Sequence, residues 1–436
     1  MDKKICIVVD HPIRDLNGYI YFISKFKNKN ITFYLVPYYN FREIYIIRPD
    51  LVILNHSRWI YENFLRNLSK LNISTIVIDT EGGMINDQLI KEYYDYNELA
   101  KNNKIVDAYF IWSKSIKNRL LKNYKSLNKN KFLVGGNPRF NYIKKSTNYK
   151  LGKNLLVNFN FATINPRFSS VEKEKELLEK QKHTRQWIKN YSSHQIKMRK
   201  KFIFLIKQIL NNKKINNIIL RPHPYENLNY YKSIFSKYNS VKIRQDSQLK
   251  EEINKSFVIL HNNCGTSVDA NLMGRPCIFF QPFKSKYLDQ KFLMNISFVE
   301  KDYNEIIKKI LSFKKKKISF KKNFNKINND FVEIKNNISN IEKYINKKIY
   351  NKKKNQDFLF LIKILLQSNE IFYFIKTIIK ILVGKKFLFL YKNKFLNKLF
   401  SENTVKQQLK KEKLVNFKII KKKFLFMNLL SVEIKK

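Results

Sequence analysis

The sequence predicts an α/β protein of two doubly wound domains facing a cleft and followed by a basic helical tail. Three observations carry that expectation. Two successive series of short apolar runs alternate with helical patterns, polar and glycine-bearing loops follow those runs, and the character of the chain changes beyond about residue 345. Strands that alternate with helices imply right-handed crossovers and parallel sheets. A chain of 436 residues, 44% hydrophobic and 14% aromatic, is long enough to bury two or three cores.

The first series comprises Ile5–Val9, Ile31–Val36, Leu51–Leu54, Thr75–Ile78, Ala108–Trp112 and Phe132–Val134, and it sets a first domain over 1–148. Its loops gather polar residues on one edge: Asp10 to Asp15 with His11 and Arg14, Asn55 to Arg58, Asp79 to Gly83, and Gly135 to Arg139. The second series comprises Leu155–Val157, Asn216–Leu220, Val241–Ile243, Phe257–Leu260, Cys277–Phe280 and Ile296–Val299, and it sets a second domain over 149–345. Between its first two strands, Val171–Lys213 reads as a charged excursion of one or two helices. The tail over 346–436 mixes apolar runs with lysines. On a helix from Glu370, the residues Tyr373, Lys376, Thr377 and Lys380 share a narrow polar stripe, and Ile371, Phe374, Ile375, Ile378, Ile379 and Leu382 cover the rest. Such a helix either lies in a membrane interface with its lysines toward anionic headgroups or packs on the body as a terminal helix.

The formal charge of +52 is discounted, because Lys, Asn, Ile and Phe are inflated together, as happens when coding DNA is rich in A and T. What remains favours anionic partners, either nucleotide phosphates or an acidic membrane surface. A nucleic-acid partner is not expected, since the lysines are spread along the chain instead of clustering with stacking aromatics. Cys6, Cys264 and Cys277 are too few and too scattered for a disulfide framework or a zinc knuckle, which suits a reducing cytoplasm. The opening run Ile5–Val9 is too short for a signal peptide, and no stretch reaches the roughly 18 uninterrupted apolar residues of a spanning helix.

Two stretches carry the candidate chemistry. Arg221-Pro222-His223-Pro224-Tyr225-Glu226 follows the apolar run Ile218-Ile219-Leu220, so an arginine and a histidine leave the carboxyl end of a strand, the edge where open α/β sheets bind ligands. The flanking prolines hold the His223 backbone extended. The imidazole either meets a phosphate or is a buried structural group, and Glu226 either caps the next helix or holds a ligand hydroxyl. The second stretch runs from Ser256 to Gln281. There a polar turn, His261-Asn262-Asn263-Cys264-Gly265, leads into Thr266-Ser267 and a helix that stops at Gly274. Thr266, Ser267 and Asp269 either bind phosphate and ribose at that helix start or cap it in the ordinary way. Gly265 lets a ligand approach closely. In the first domain Asp79, Thr80 and Glu81 leave a strand ahead of Gly82 and Gly83. A carboxylate there either acts as general base or nucleophile, or caps and solvates a turn.

Taken in order, Glu81-Gly82-Gly83, Gly136-Asn137-Pro138-Arg139-Phe140, Asn158-Phe159-Asn160-Phe161 with Asn165, Arg221-Pro222-His223-Pro224 with Glu226, and His261-Asn262-Asn263-Cys264-Gly265-Thr266 with Asp269-Ala270 resemble the bacterial surface carbohydrate biosynthesis protein family, which is glycosyltransferase-B-like (GT-B). The resemblance covers about residues 4–310 and leaves the tail outside. A wider likeness is to bacterial sialyltransferases and Kdo transferases, which use CMP-activated acidic sugars. By that likeness His223-Pro224 is similar to their nucleotide-binding His-Pro, Thr266 and Ser267 to their phosphate loop, and Glu81-Gly82 to the end of their acidic motif. Thr80 departs from the acidic first position, and Asp269 stands where the family usually has Glu.

The resemblance implies a metal-independent GT-B glycosyltransferase with two Rossmann-like domains and no cofactor beyond a nucleotide-sugar donor. Donor phosphates are expected on Arg221, His223, Thr266 and Ser267, the ribose on Asp269, and further donor contacts at Glu226, Asn263 and Gly265. Glu81, with Asp79 behind it and His11, is expected to carry the chemistry. Arg14, Gly82, Gly83, Asn137, Arg139, Asn158 and Asn160 would line the rest of the cleft. The expected partners are a nucleotide sugar, a glycan or glycolipid acceptor of a surface polysaccharide or lipopolysaccharide, and an anionic inner-membrane surface met through the tail. The expected place is cytoplasmic, peripheral on the inner face of the cytoplasmic membrane. The alternatives are a glycerol-phosphate-type polymerase or sugar-nucleotide epimerase of the same fold, and a non-catalytic membrane-docked scaffold.

Overall fold

A computed structural model describes residues 3–28, 30–81, 83, 87–145, 152–181, 183–245, 247–315, 324–350, 357–383, 398–411, 418–420, 423–424, 427–428 and 431–435. The chain forms two compact units: Met1–Tyr142 with Asn325–Lys436, and Ile143–Phe324.

In the first unit the strands are β1 (Lys3–Val9), β2 (Ile31–Pro37), β3 (Leu51–Leu54), β4 (Ser74–Ile78), β5 (Ala108–Ile111) and β6 (Phe132–Val134). The second holds β7 (Asn154–Phe159), β8 (Ile218–Pro222), β9 (Val241–Ile243), β10 (Ser256–His261), β11 (Cys277–Phe280) and β12 (Phe298–Glu300). All twelve coincide with the apolar runs expected from sequence, to within a few residues. They are rich in Val, Ile, Leu and Phe because helices cover both faces of a parallel sheet, so that neither face needs polar residues. Near the chain end come β13 (Lys418–Ile420), β14 (Lys423–Phe424), β15 (Met427–Asn428) and β16 (Val432–Lys435).

The first sheet has the order β13-β16-β2-β1-β3-β4-β5-β6, with β1 to β6 parallel and β16 antiparallel to β2. The second has the order β12-β11-β10-β7-β8-β9, parallel throughout. Strand order therefore reverses between β1 and β3 in one unit and between β7 and β10 in the other. At such a switch point two crossovers depart to opposite sides and leave a crevice at the carboxyl ends of the strands. The fold is thus mixed α/β with two doubly wound parallel sheets. The excursion after β7 is the helix Val171–Lys180 and the 27-residue helix Arg185–Asn211, the latter opened by the Thr184 hydroxyl accepting from the Trp187 N–H. Met198, Phe202, Leu205, Ile206 and Ile209 seat that long helix on the second core.

The division between units differs from the expected boundaries. The second unit ends at Phe324 instead of 345, and the region placed in a separate tail returns to the first unit. The reason lies in packing. On the helix Asn337–Ile349, Ile341, Ile345 and Ile349 recur every fourth residue and enter the same core as Ile5, Phe22 and Phe33. Val405 and Leu409 of the helix Glu402–Lys411 and Ile434 of β16 join them. The expected polar stripe from Tyr373 to Lys380 is also not a solvent face throughout, since Thr377 is buried beside Phe374 and Ile381. Among the described residues no helix is long and apolar enough to cross a membrane.

Candidate functional site

Each sheet carries a polar cluster at its switch point. In the first unit, the loop after β1 begins at Asp10 and continues into a single π-helical turn, Pro12–Leu16, which turns Arg14 back over the strand end. Arg14 Nη2 donates to Asp10 Oδ2 at 2.8 Å, its Nε donates to Asp15 Oδ1 at 2.8 Å, and its Nη1 reaches Glu81 Oε1 at 3.3 Å. From the loop after β3, Arg58 Nη2 donates to the other Glu81 oxygen at 2.9 Å. Glu81 is therefore forked between two guanidinium groups. Burial alone would raise its pKa, but Arg58 and Arg14 outweigh that effect and hold it well below the ordinary carboxylate range. About half of its side chain (52%) is open to solvent, which screens both effects.

Asp79 stands differently. It is 2% exposed, one oxygen accepts from the Glu81 N–H at 2.6 Å, and Oδ2 has no hydrogen-bond partner among the described residues. Burial pushes its pKa up to about 6, against the opposing pull of Arg58. Its own carbonyl is fixed by Trp112 Nε1 at 2.7 Å and Asn137 Nδ2 at 3.1 Å. His11 lies in the same cluster with an unbonded buried Nδ1, and burial together with Arg14 lowers its pKa below the ordinary 6.5. His56 is pushed down to about 3 by burial and then by Arg58, and its Nδ1 accepts from the Arg58 N–H at 3.3 Å.

The supporting layer of this cluster comes from the far end of the sequence. Lys398 Nζ donates to Asp10 Oδ1 at 2.5 Å and lies 4.4 Å above the Tyr38 ring. Burial raises the pKa of Asp10, but Arg14 and Lys398 more than reverse that effect. The segment after 324 buttresses the loops. Phe331 packs edge-on to Trp112, and a Cβ on Gly83 would sit 2.6 Å from its ring. Gly136 has φ +57°, and a Cβ there would lie 2.2 Å from the Glu333 carbonyl oxygen. Asn137 is a clamp and not an open cleft residue: it is buried, and its Oδ1 accepts from the Arg139 N–H at 3.0 Å. Arg139 lays its guanidinium 4.4 Å over the Phe140 ring. Gly82 lies outside the described residues. Arg58 and Lys398 were not singled out from sequence. Arg58 could have been found from its place after β3 at the switch point, whereas Lys398 carries no sequence signal.

In the second unit the register sets Asn158, Arg221 and His261 side by side across β8, β7 and β10. Arg221 is the penultimate residue of β8 and not a loop residue, and it donates through Nη2 to the Ser247 carbonyl at 2.9 Å. Asn158 Nδ2 bridges the switch point to Thr266 Oγ1 at 3.1 Å, while Asn158 Oδ1 remains unbonded. Thr266 also accepts from Cys264 Sγ at 3.2 Å, so its own hydroxyl hydrogen can be donated onward. Asn263 takes a left-handed φ of 47° and turns the chain. A Cβ on Gly265 would meet nothing within 4 Å, so the turn borders open space. Asn160 is exposed and uses Oδ1 to hold the Ala162 N–H at 3.2 Å.

Three expected contacts fall elsewhere. Glu226 is fully buried, and both carboxylate oxygens are used inside the protein: one accepts from the His223 N–H at 2.9 Å, the other from the Tyr231 hydroxyl. It braces the His-Pro loop and has no surface to offer a ligand hydroxyl. Burial pushes its pKa up to about 7 in spite of those donors. Ser267 is buried, and both its N–H and its hydroxyl donate to the Cys264 carbonyl. Asp269 is buried at 3% exposure one turn into the helix Thr266–Leu272, which is too deep for a ribose on the surface. His223 is half-buried, and its Nδ1 accepts from the Tyr225 N–H at 3.3 Å, which assigns the neutral ring's proton to Nε2. Gln245 pins the loop from behind by donating to the carbonyls of His223 and Glu226 at 2.7 and 2.8 Å.

No family model matches the chain, and no curated protein matches it. Among solved structures, it is similar to a protein from Listeria monocytogenes assigned as a UDP-N-acetylglucosamine 2-epimerase, with a TM-score of 0.51 and 11% identity over 82% of this chain and 100% of the other. It is also similar to the UDP-GlcNAc 2-epimerase of Neisseria meningitidis bound to UDP-GlcNAc (TM-score 0.49, 13% identity, 79% of this chain, 100% of the other). A third likeness is to the wall teichoic acid polymerase TagF (TM-score 0.47, 11% identity, 80% of this chain, 89% of the other). At such identities the likeness speaks to fold alone, and the fold is that of GT-B-type proteins with two Rossmann-like domains.

Proposed function

We propose that the protein is a glycosyltransferase that moves a sugar from a nucleotide-activated donor, with a CMP-activated acidic sugar as the first candidate, to a glycan or glycolipid acceptor of a bacterial surface polysaccharide. It would do so on the cytoplasmic face of the membrane. The observation that carries the reading is the second unit's strand-end cluster, where Asn158 pairs in register with Arg221 and bridges to Thr266 beside the open space at Gly265, with His223 two residues beyond Arg221 on the same strand end. Arg221, the His223 Nε2–H and the Thr266 hydroxyl would hold the phosphate and stabilise the charge that develops as the donor bond breaks. In the first unit Asp79 is the better base. Its buried, unbonded oxygen has a pKa of about 6, so near neutral pH it is largely ionised and still takes up a proton readily, as a general base must, whereas the forked Glu81 binds one weakly. Glu81, Arg14 and Arg58 would then form a fixed charge frame around the base, with His11 as a neutral acceptor beside it.

A second reading, sugar-nucleotide epimerase, draws on the fold likeness to the Listeria protein and on Asp79. A carboxylate that both releases and retakes a proton near pH 6 suits abstraction and return at a sugar carbon. The test has two stages. Thermal unfolding is followed with CMP, CDP, UDP and GDP at millimolar concentration, and at least one should raise the midpoint. No shift with any of them removes both enzymatic readings and favours a non-catalytic scaffold. The stabilising nucleotide's sugar donors are then incubated with and without a glycolipid acceptor. Nucleotide release that requires acceptor supports transfer, and an altered donor sugar without acceptor supports epimerisation.

A further inference from the structure

The structure assigns to the helical pair Phe358–Gln367 and Ile371–Val383 an outward apolar face that docks in the plane of an anionic lipid bilayer. This deepens the proposed reading by giving the membrane-bound acceptor a surface of approach, and it rests on that reading only for its purpose, not for its evidence.

The pair is firmly seated on one side. Leu361, Ile364, Leu365, Phe374 and Ile381 are buried. Arg42 holds Glu370 with two bonds of 2.6 and 2.9 Å, and the turn between the helices is pinned by Asn63 Nδ2 to the Ser368 carbonyl at 3.1 Å and Asn67 Nδ2 to Ser368 Oγ at 2.9 Å. Phe374 meets Tyr45 edge-on with ring centres 6.2 Å apart. The outward side is not polar, as a water-facing helix requires. Phe372, Ile375, Ile379 and Leu382 recur at three- and four-residue steps on the side away from Phe374, Thr377 and Ile381, and all four are exposed, Phe372 to 67% and Leu382 to 55%. On the first helix Leu359 is 78% and Leu366 56% exposed. A contiguous apolar face of this kind marks an interaction surface.

Length and charge identify the occupant. Helices of 10 and 13 residues span roughly 15–20 Å, short of the roughly 30 Å hydrocarbon core, so they can lie in a bilayer but not cross it. Exposed Lys363 and Lys376, and half-buried Lys380, intersperse the apolar stripe. The two helices hold no acid, and the two that precede them are engaged: Asp357 opens the first helix by accepting from the Leu359 N–H at 2.9 Å, and Glu370 is neutralised by Arg42. Arg42 also lies 4.4 Å over the Tyr373 ring, and Arg48 lies 5.5 Å over Phe358. Apolar side chains below a belt of lysines and arginines match acyl chains below anionic headgroups. A second copy of the chain is disfavoured as occupant, because it would bring two basic faces together on a molecule of formal charge +52.

The test is flotation of the full chain with vesicles of phosphatidylcholine alone or mixed with phosphatidylglycerol, in low and physiological salt. Wild type should float with the mixed vesicles and far less with the neutral ones. The triple variant Leu359→Glu/Phe372→Glu/Leu382→Glu should lose binding by about tenfold or more, with an unchanged unfolding midpoint because all three side chains are exposed. If that variant fails to fold, Phe372→Ser alone is measured, with a several-fold loss expected. Replacing Lys363, Lys376 and Lys380 by Gln should abolish the preference for anionic vesicles. Equal flotation of wild type and apolar variants overturns the assignment. So does a wild type that stays off anionic vesicles, or one that is a dimer split by the triple variant with neither form floating. Lipid binding is read without nucleotide or turnover. Loss of all nucleotide shifts with flotation intact therefore sinks the transferase and leaves this surface standing.

Discussion

Asp79 keeps its proton to near-neutral pH because its carboxylate is buried while the nearest guanidinium groups are committed to Glu81. The cost of that arrangement can be measured. A carboxyl whose folded pKa, about 6, exceeds its ordinary 3.8 binds the proton more tightly folded than unfolded. Its stabilising contribution is present in full below pH 3.8 and is lost as pH rises through about 6. Asp79→Asn should therefore raise stability at pH 7.5 by about 1–3 kcal/mol while cutting turnover by about 10²–10⁴. Denaturant unfolding and a turnover assay on the same preparation check the pair. The wild-type rate should rise with pH through about 6. Glu81→Gln should lower turnover by only about ten- to a hundredfold and leave the nucleotide-induced midpoint shift unchanged, because it alters a charge frame and not the base. If Glu81→Gln proves the more damaging change, the roles of the two carboxylates are reversed.

The His-Pro loop shows how an element is held in one shape by a group that never reaches the ligand. Glu226 ties the His223 N–H to the Tyr231 hydroxyl from a fully buried position, and its folded pKa of about 7 lies above the ordinary 4.5. The sign is the same as for Asp79: stability is greatest below pH 4.5 and declines as pH rises through about 7. Glu226→Gln keeps an acceptor for His223 and should flatten that decline. Glu226→Ala leaves the N–H unsatisfied and should cost about 1–3 kcal/mol with a weaker nucleotide shift. Thermal unfolding across pH 5–8 distinguishes the two variants. The twelve strands were legible in the sequence because parallel strands buried on both faces read as unbroken Val, Ile, Leu and Phe runs. The His-Pro loop and the Thr266 turn were legible as strand-end features. Whether a polar residue faces ligand or braces its neighbour was not, as Glu226, Ser267 and Asn137 show, because capping, bracing and binding draw on the same donors and acceptors. Nor does sequence order reveal that Asn158, Arg221 and His261 share one level, which depends on β10 joining the sheet beside β7.

At the scale of the whole molecule the chain builds one unit, interrupts it with another, and returns. The second core closes entirely within residues 155–313. The first does not close within residues 1–142, since Ile341, Ile345, Ile349, Val405, Leu409 and Ile434 complete it. An amphipathic helix such as Asn337–Ile349 announces an apolar face without naming the sheet it will cover, which is why its return to the first unit was not legible. Each of those six aliphatic side chains contributes about 1.5–3 kcal/mol when buried, a sum comparable with the roughly 5–15 kcal/mol that separates a folded domain from its unfolded chain. The strand β16 also covers the open edge of β2 with a ladder from Val432 to Lys435. Residues 143–324 expressed alone should therefore melt cooperatively and, on the proposed reading, keep the nucleotide-induced midpoint shift. Residues 1–142 alone should not fold, and supplying 325–436 in trans should rescue them. Far-UV circular dichroism with thermal unfolding reads all three cases. A cooperative transition for 1–142 by itself would show that the returning segment decorates a finished core instead of completing it, and Lys398 would then reach Asp10 from a dispensable appendage.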